Sequence, residues 1–153
     1  MLETRFEEPK KQDGGDKNLK KSTLTGDMTS KKERKVCKAL GLNKPSEKTI
    51  FSALLRVSDY VEASNTIIGF GLNHCSDAML VCVQVAIHEK SYNPFYYSLI
   101  NNLCKFNRKY KLATKFAIQD KIRALVQMDE QRTNIFKVLC FELSNLMRFQ
   151  SPY

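Results

Sequence analysis

The sequence predicts an all-α fold of stacked antiparallel helical hairpins behind a disordered basic tail. Three observations lead there. From Ser46 onward, apolar residues recur every three or four positions, which gathers them on one face of a helix. Most of these periods are preceded by a Ser, Asp or Asn that can cap a helix start. After Gly71 the chain contains no glycine, as a run of helices joined by short, tight turns would need.

The tail is read as 1–44. Up to about Ser30 it is rich in Lys, Asp, Glu, Gly, Thr and Ser, with no sustained apolar period, so it buries too little to offset chain entropy. Lys31–Leu40 has the spacing of a short helix ended by Gly41, and Asn43-Lys44-Pro45 breaks it. The helical domain is read as 45–150. Ser46 caps a helix bearing Ile50, Leu54 and Val57, with Phe51 and Leu55 beside them. Ser58 or Asp59 caps the next, which carries Tyr60, Val61, Ala63, Ile67 and Ile68 and ends in the turn Gly69–Asn73. Ser76 or Asp77 opens the third. Its run Ala78–Ile87 would suit a buried strand equally well, but no other segment reads as a strand that could pair with it. It is therefore read as a helix buried on both sides.

Asn93 caps the fourth helix, and Pro94 takes its first position, where the missing N–H costs nothing. Tyr96, Leu99, Ile100, Leu103 and Phe106 share one face of it. After the bend Asn107-Arg108-Lys109, a fifth helix carries Ala113, Ala117, Asp120 and Ala124 in a stripe. Alanines let two helices approach closely. Asp120 within that stripe is read as a buried structural acid, which must be paired or capping. A sixth helix, about Gln131–Phe149, carries Ile135, Phe136, Leu139, Leu143, Leu146 and Met147. Six helices pair as three hairpins of about 25–40 residues, the size of a HEAT-type unit that buries its face by stacking on its neighbours.

Composition and motifs bound the chemistry. Five cysteines, an odd number without CxxC spacing, read as free buried thiols rather than a zinc finger or a disulfide framework. There is no G-x-x-x-x-G-K, and Gly69-Phe70-Gly71 lacks the third glycine of a dinucleotide fingerprint. His74 and His88 are the only histidines, and His74, Cys75 and Asp77 do not have zinc spacing. No enzyme, cofactor, metal or small-molecule substrate is expected. The run Ala78–Ile87, broken by Gln84, is too short to cross a membrane, and Met1–Gln12 has no apolar centre as a secretory signal would.

The informative features are charges. A formal net charge of +9 favours nucleic acid or an acidic protein surface. Lys105, Arg108, Lys109, Lys111 and Lys115 gather around the fourth bend, with Phe106 and Tyr110 between them. They could grip a phosphate backbone or an acidic partner, or form a solvated cluster favoured by a helix C-terminal dipole. Asp59, Glu62 and Asp77 sit at helix starts, where they either cap or meet a basic partner. Lys20 and Lys21, followed ten residues later by Lys32, Arg34 and Lys35, have the form of a bipartite nuclear import signal or of a merely solvated charge run.

The stretch NPFYYSLINNLCKFNRKYKLATKFAIQDKIR, with SDYVEA and GFGLNHCSDAMLVCVQVAIHEK upstream, resembles the C-terminal MA-three domain of the nucleolar MIF-four-G proteins. Its most distinctive residues are the Asn-Pro-Phe-Tyr opening and Phe116, Ile118, Asp120, Lys121 and Arg123; the resemblance covers roughly Pro45–Phe149. It implies stacked helical hairpins and residence in the nucleus and nucleolus. It also implies a non-catalytic scaffold in assembly of the small ribosomal subunit, beside a DEAD-box RNA helicase and a pre-ribosomal particle or rRNA precursor. In the wider MA-three group, acidic residues near such turns contact that helicase. In the nucleolar branch the grip is usually credited to a separate MIF-four-G domain, which this sequence lacks. Two other readings stand beside it: a direct RNA-binding helical module, and an inhibitor of the translation-initiation helicase.

Overall fold

Capping chemistry sets most of the helix starts. The computed structural model describes residues 30–150, and among these there are seven α-helices and no β-strand. They are α1 (Ser30–Ala39), α2 (Pro45–Leu54), α3 (Tyr60–Gly69), α4 (Cys75–Ile87), α5 (Pro94–Phe106), α6 (Arg108–Arg123) and α7 (Glu130–Gln150). Asn93 Oδ1 accepts the Phe95 N–H at 3.0 Å with Pro94 at the first position of α5, as its sequence predicts. Of the two candidates for α3, Asp59 is the cap; its carboxylate accepts the Glu62 N–H at 2.8 Å. Ser46 does not cap α2, which begins one residue earlier at Pro45. There Glu47, buried, reaches back so that its Oε1 accepts the N–H groups of Asn43 and Lys44 at 3.1 and 3.2 Å. Gly71 turns α3 toward α4 at φ 98°, and a Cβ on it would come within 2.9 Å of Asn73 Oδ1, so glycine is needed there.

The fold is all-α, with stacked helical hairpins built around α4. Ala78, Met79 and every residue from Val81 to Ile87 are buried. Helices α2, α5, α6 and α7 all pack against α4, which is why its sequence is apolar all round rather than striped. Helix α5 packs on α3, and Asn102 Nδ2 donates to Ser64 Oγ at 2.9 Å across that contact. Helices α6 and α7 both lie against the α4–α5 pair. Helix α6 buries Tyr110, Ala113, Thr114 and Ala117, and α7 buries Ile135, Phe136, Leu139 and Leu143.

The helical body begins before residue 45, which corrects the tail boundary read from the sequence. Cys37, Leu40 and Leu42 are part of the central core. Gly41, at φ 75°, turns the chain so that both leucines face inward, and Gln84 Nε2 donates to the Leu40 carbonyl. Glu33 fixes α1 to α2, accepting from Ser52 Oγ at 3.3 Å and facing Arg56 at 3.5 Å. Three apolar residues in a basic stretch are enough to dock one helix, though too few to show as a period. The first 29 residues, with Lys20 and Lys21, lie outside the described residues. Cys37, Cys82 and Cys104 are buried free thiols, and Cys75 and Cys140 are free and half-buried. Burial, with Cys104 nearby, pushes the Cys82 thiol up to about 12. Among the described residues, no single helix is long and apolar enough to cross a membrane.

Candidate functional site

One residue makes the corner between α5 and α6. Asn107 is extended, at φ −154° and ψ 137°, and serves as the C-cap of α5 and the N-cap of α6. Its Oδ1 accepts the Lys109 N–H at 2.8 Å. Such a short turn sets Lys105, in the last turn of α5, beside Arg108 and Lys109 in the first turn of α6, with Lys115 two turns farther on. All four are exposed, and among the described residues none of them is held in an ion pair. The helix dipole explains only one of them. Lys105 complements the C-terminus of α5, whereas Arg108 and Lys109 oppose the N-terminus of α6, typically by about 0.3–1 kcal/mol each.

Lys111, grouped with these cations in the sequence, is instead buried at 8% exposure. It falls on the inward side of α6, and burial, helped by the Lys115 and Arg108 charges, lowers its pKa from the ordinary lysine value. Phe106 moves the other way. It continues the apolar period of α5 but is 55% exposed, because fully buried Tyr110 takes the inner place at that corner. The two rings lie 6.4 Å apart, tilted by 53°.

A second feature lies between α2, α4 and α6. Lys44, Asp77, Leu80, Ala113, Phe116, Ala117, Asp120 and Arg123 are among the residues lining a groove of about 380 Å³. Asp77 is anchored in it. Ser46 Oγ donates to its carboxylate at 2.6 Å, Lys44 Nζ lies at 3.4 Å and His74 Nδ1 at 3.9 Å. Partial burial opposes ionisation of Asp77, but the Ser46 hydrogen bond and the Lys44 and His74 charges outweigh it and hold the carboxyl below its usual range. Phe116 stands 60% exposed in this groove.

Asp120 is not the buried acid that the alanine stripe suggests. Its side chain is 61% exposed, with Arg123 at 4.0 Å on the next turn. The buried side of α6 is centred on Tyr110, Thr114 and Ala117, which leaves Asp120 about a quarter-turn away on the rim. Asp59 and Glu62 have capping partners. Asp59 caps α3 as described, and Glu62 Oε1 accepts from the N–H and Oγ of Ser58, both at 3.1 Å. Lys32, Arg34 and Lys35 lie exposed on α1. His88 Nδ1 lies 2.9 Å from the Gln84 carbonyl, and burial lowers its pKa. Among the described residues, no group of three His, Cys, Asp or Glu side chains could hold a metal ion. Sequence reasoning missed the exposure of Leu112 and Phe116. Their period with Lys109, Gln119 and Arg123 was the available signal, since those polar residues mark the solvent side of the same helix.

The chain is 31% identical over 115 residues to the nucleolar MIF4G domain-containing protein 1 homolog of Drosophila melanogaster, covering 75% of this chain and 13% of that protein. It is 27% identical over 126 residues to nucleolar MIF4G domain-containing protein 1 of Mus musculus, covering 81% of this chain and 14% of that protein. The Homo sapiens protein of the same name is 28% identical over 86 residues, or 55% of this chain and 10% of that protein. The chain thus spans between a tenth and a seventh of the length of the curated relatives it matches. No family model and no solved structure matches. On the similarity to these relatives, and with the all-helical fold that its sequence predicts, the chain belongs to the nucleolar MIF4G domain-containing protein 1 family.

Proposed function

We propose that this chain is a non-catalytic interaction module that works in nucleolar assembly of the small ribosomal subunit, beside a DEAD-box RNA helicase. The word nucleolar in its relatives' names supports residence in the nucleus and nucleolus. The resemblance to MA-three domains supports the helicase as partner and a pre-ribosomal particle, with its RNA precursor, as the setting. The observation that carries a contact role is the groove between α2, α4 and α6. It offers one exposed aromatic ring, Phe116, among charges of both signs from Lys44, Asp77, Asp120 and Arg123. An apolar anchor within a polar rim is the usual anatomy of a protein contact.

The test is affinity capture with the tagged chain in nuclear extract treated with nuclease. A DEAD-box helicase and pre-ribosomal proteins should be retained without RNA. Phe116→Ala combined with Arg123→Ala should lower retention by about tenfold, with no change in melting temperature. Retention that disappears with nuclease, or that ignores the double substitution, would reject the groove as the contact.

A further inference from the structure

The groove leaves the α5–α6 corner unused. We propose that this corner, formed by Lys105, Phe106, Arg108, Lys109, Leu112 and Lys115, binds single-stranded RNA. The proposal does not rest on the protein contact above. From Lys105 to Gln119 the chain has no Asp or Glu, so the positive charge there is unbroken. The four exposed cations have no carboxylate partner among the described residues, and their charge is available to an outside anion. Arg108 and Lys109 sit where helix α6 itself disfavours them, at an end whose dipole is already positive. A phosphate at that end removes the conflict, because cation and dipole then act on it together.

Phe106 selects among anionic partners. Phe106 is more than half exposed in the midst of this charge, and the buried Tyr110 ring lies beside it, with centroids 6.4 Å apart. An exposed ring beside a row of cations is a stacking platform for an unpaired base. A duplex keeps its bases stacked on one another and offers that ring nothing, which favours a single strand. A run of Asp and Glu would satisfy the cations but offers the ring no flat group to stack on.

The test titrates the full chain against a short mixed-sequence single-stranded ribo-oligonucleotide by fluorescence anisotropy, across a series of salt concentrations. Log affinity should fall linearly with log salt. Glutamine at Lys105, Arg108, Lys109 and Lys115 together should reduce that slope by roughly 3, at about 0.7 per phosphate contact. Glutamine at Lys38, Lys48 and Lys137, exposed elsewhere, should change it by less than about 1. Phe106→Ala should weaken binding roughly fivefold or more at every salt concentration and leave the slope unchanged, and Phe106→Trp should restore it. Absence of binding, equal slope loss in the two glutamine sets, or a silent Phe106→Ala would overturn the proposal. So would polyglutamate that displaces the RNA and itself depends on Phe106. The corner variants should still capture protein after nuclease, and the Phe116 and Arg123 variant should still bind RNA, so each reading can fail alone.

Discussion

Asp77 joins the start of α2 to the start of α4 through Ser46 and Lys44. Its carboxyl is held below the ordinary value of 3.8. A group depressed in the folded state adds stability above its unfolded value, and that stability is lost as the pH falls through the folded value. Asp77→Asn should therefore cost about 1–2 kcal/mol near neutral pH. Urea titrations below pH 3.8 should show parent and variant converging. His88 also makes acid destabilising, but at a higher pH and by favouring its neutral form. Burial, with the Arg132 and Lys121 charges, lowers its pKa from 6.5, against the Gln84 carbonyl, which favours the proton. The unfolded chain then takes up the proton first, so stability falls as the pH drops below 6.5. His88→Gln should flatten that part of the stability profile, read by thermal melting between neutral and mildly acid pH. Asp120→Ala should change stability by less than about 0.5 kcal/mol, since an exposed pair with Arg123 adds little.

Among the elements, those with a cap and a full apolar period were the legible ones. Asn93-Pro94 fixed the start of α5, and the run Ala78–Ile87, apolar except for Gln84, marked α4 as central because nearly every side of it is covered. Helix α1 was legible as a helix ended by Gly41 but not as part of the core, because Cys37, Leu40 and Leu42 set no repeat. Helix α6 was legible on its alanine side only. A stripe of four positions on an ideal helix does not say where its buried arc ends, and Asp120 lies just past that end. The alanines themselves sit where close approach was expected: Ala113 and Ala117 are buried in the helix that packs on α4. Ala117→Leu should overfill that contact and destabilise by about 1–3 kcal/mol, measurable by urea unfolding.

At the scale of the whole molecule, net charge was readable and its partition was not. The corner cations lie close together in sequence, so the basic patch was visible before the fold, apart from the inward turn of Lys111. The groove draws Lys44 from the start of α2, Asp77 from α4, and Phe116, Asp120 and Arg123 from α6. No local pattern announces residues that meet only when three helices stack. The same stacking seals one thiol completely. Cys82, on α4, has no accessible surface, and its sulfur ionises only near the alkaline limit of about 12. An alkylating reagent such as iodoacetamide can reach it only in molecules whose bundle has come apart. The pace at which Cys82 is modified should then count openings of the entire domain, while half-covered Cys75 and Cys140 report on local breathing alone.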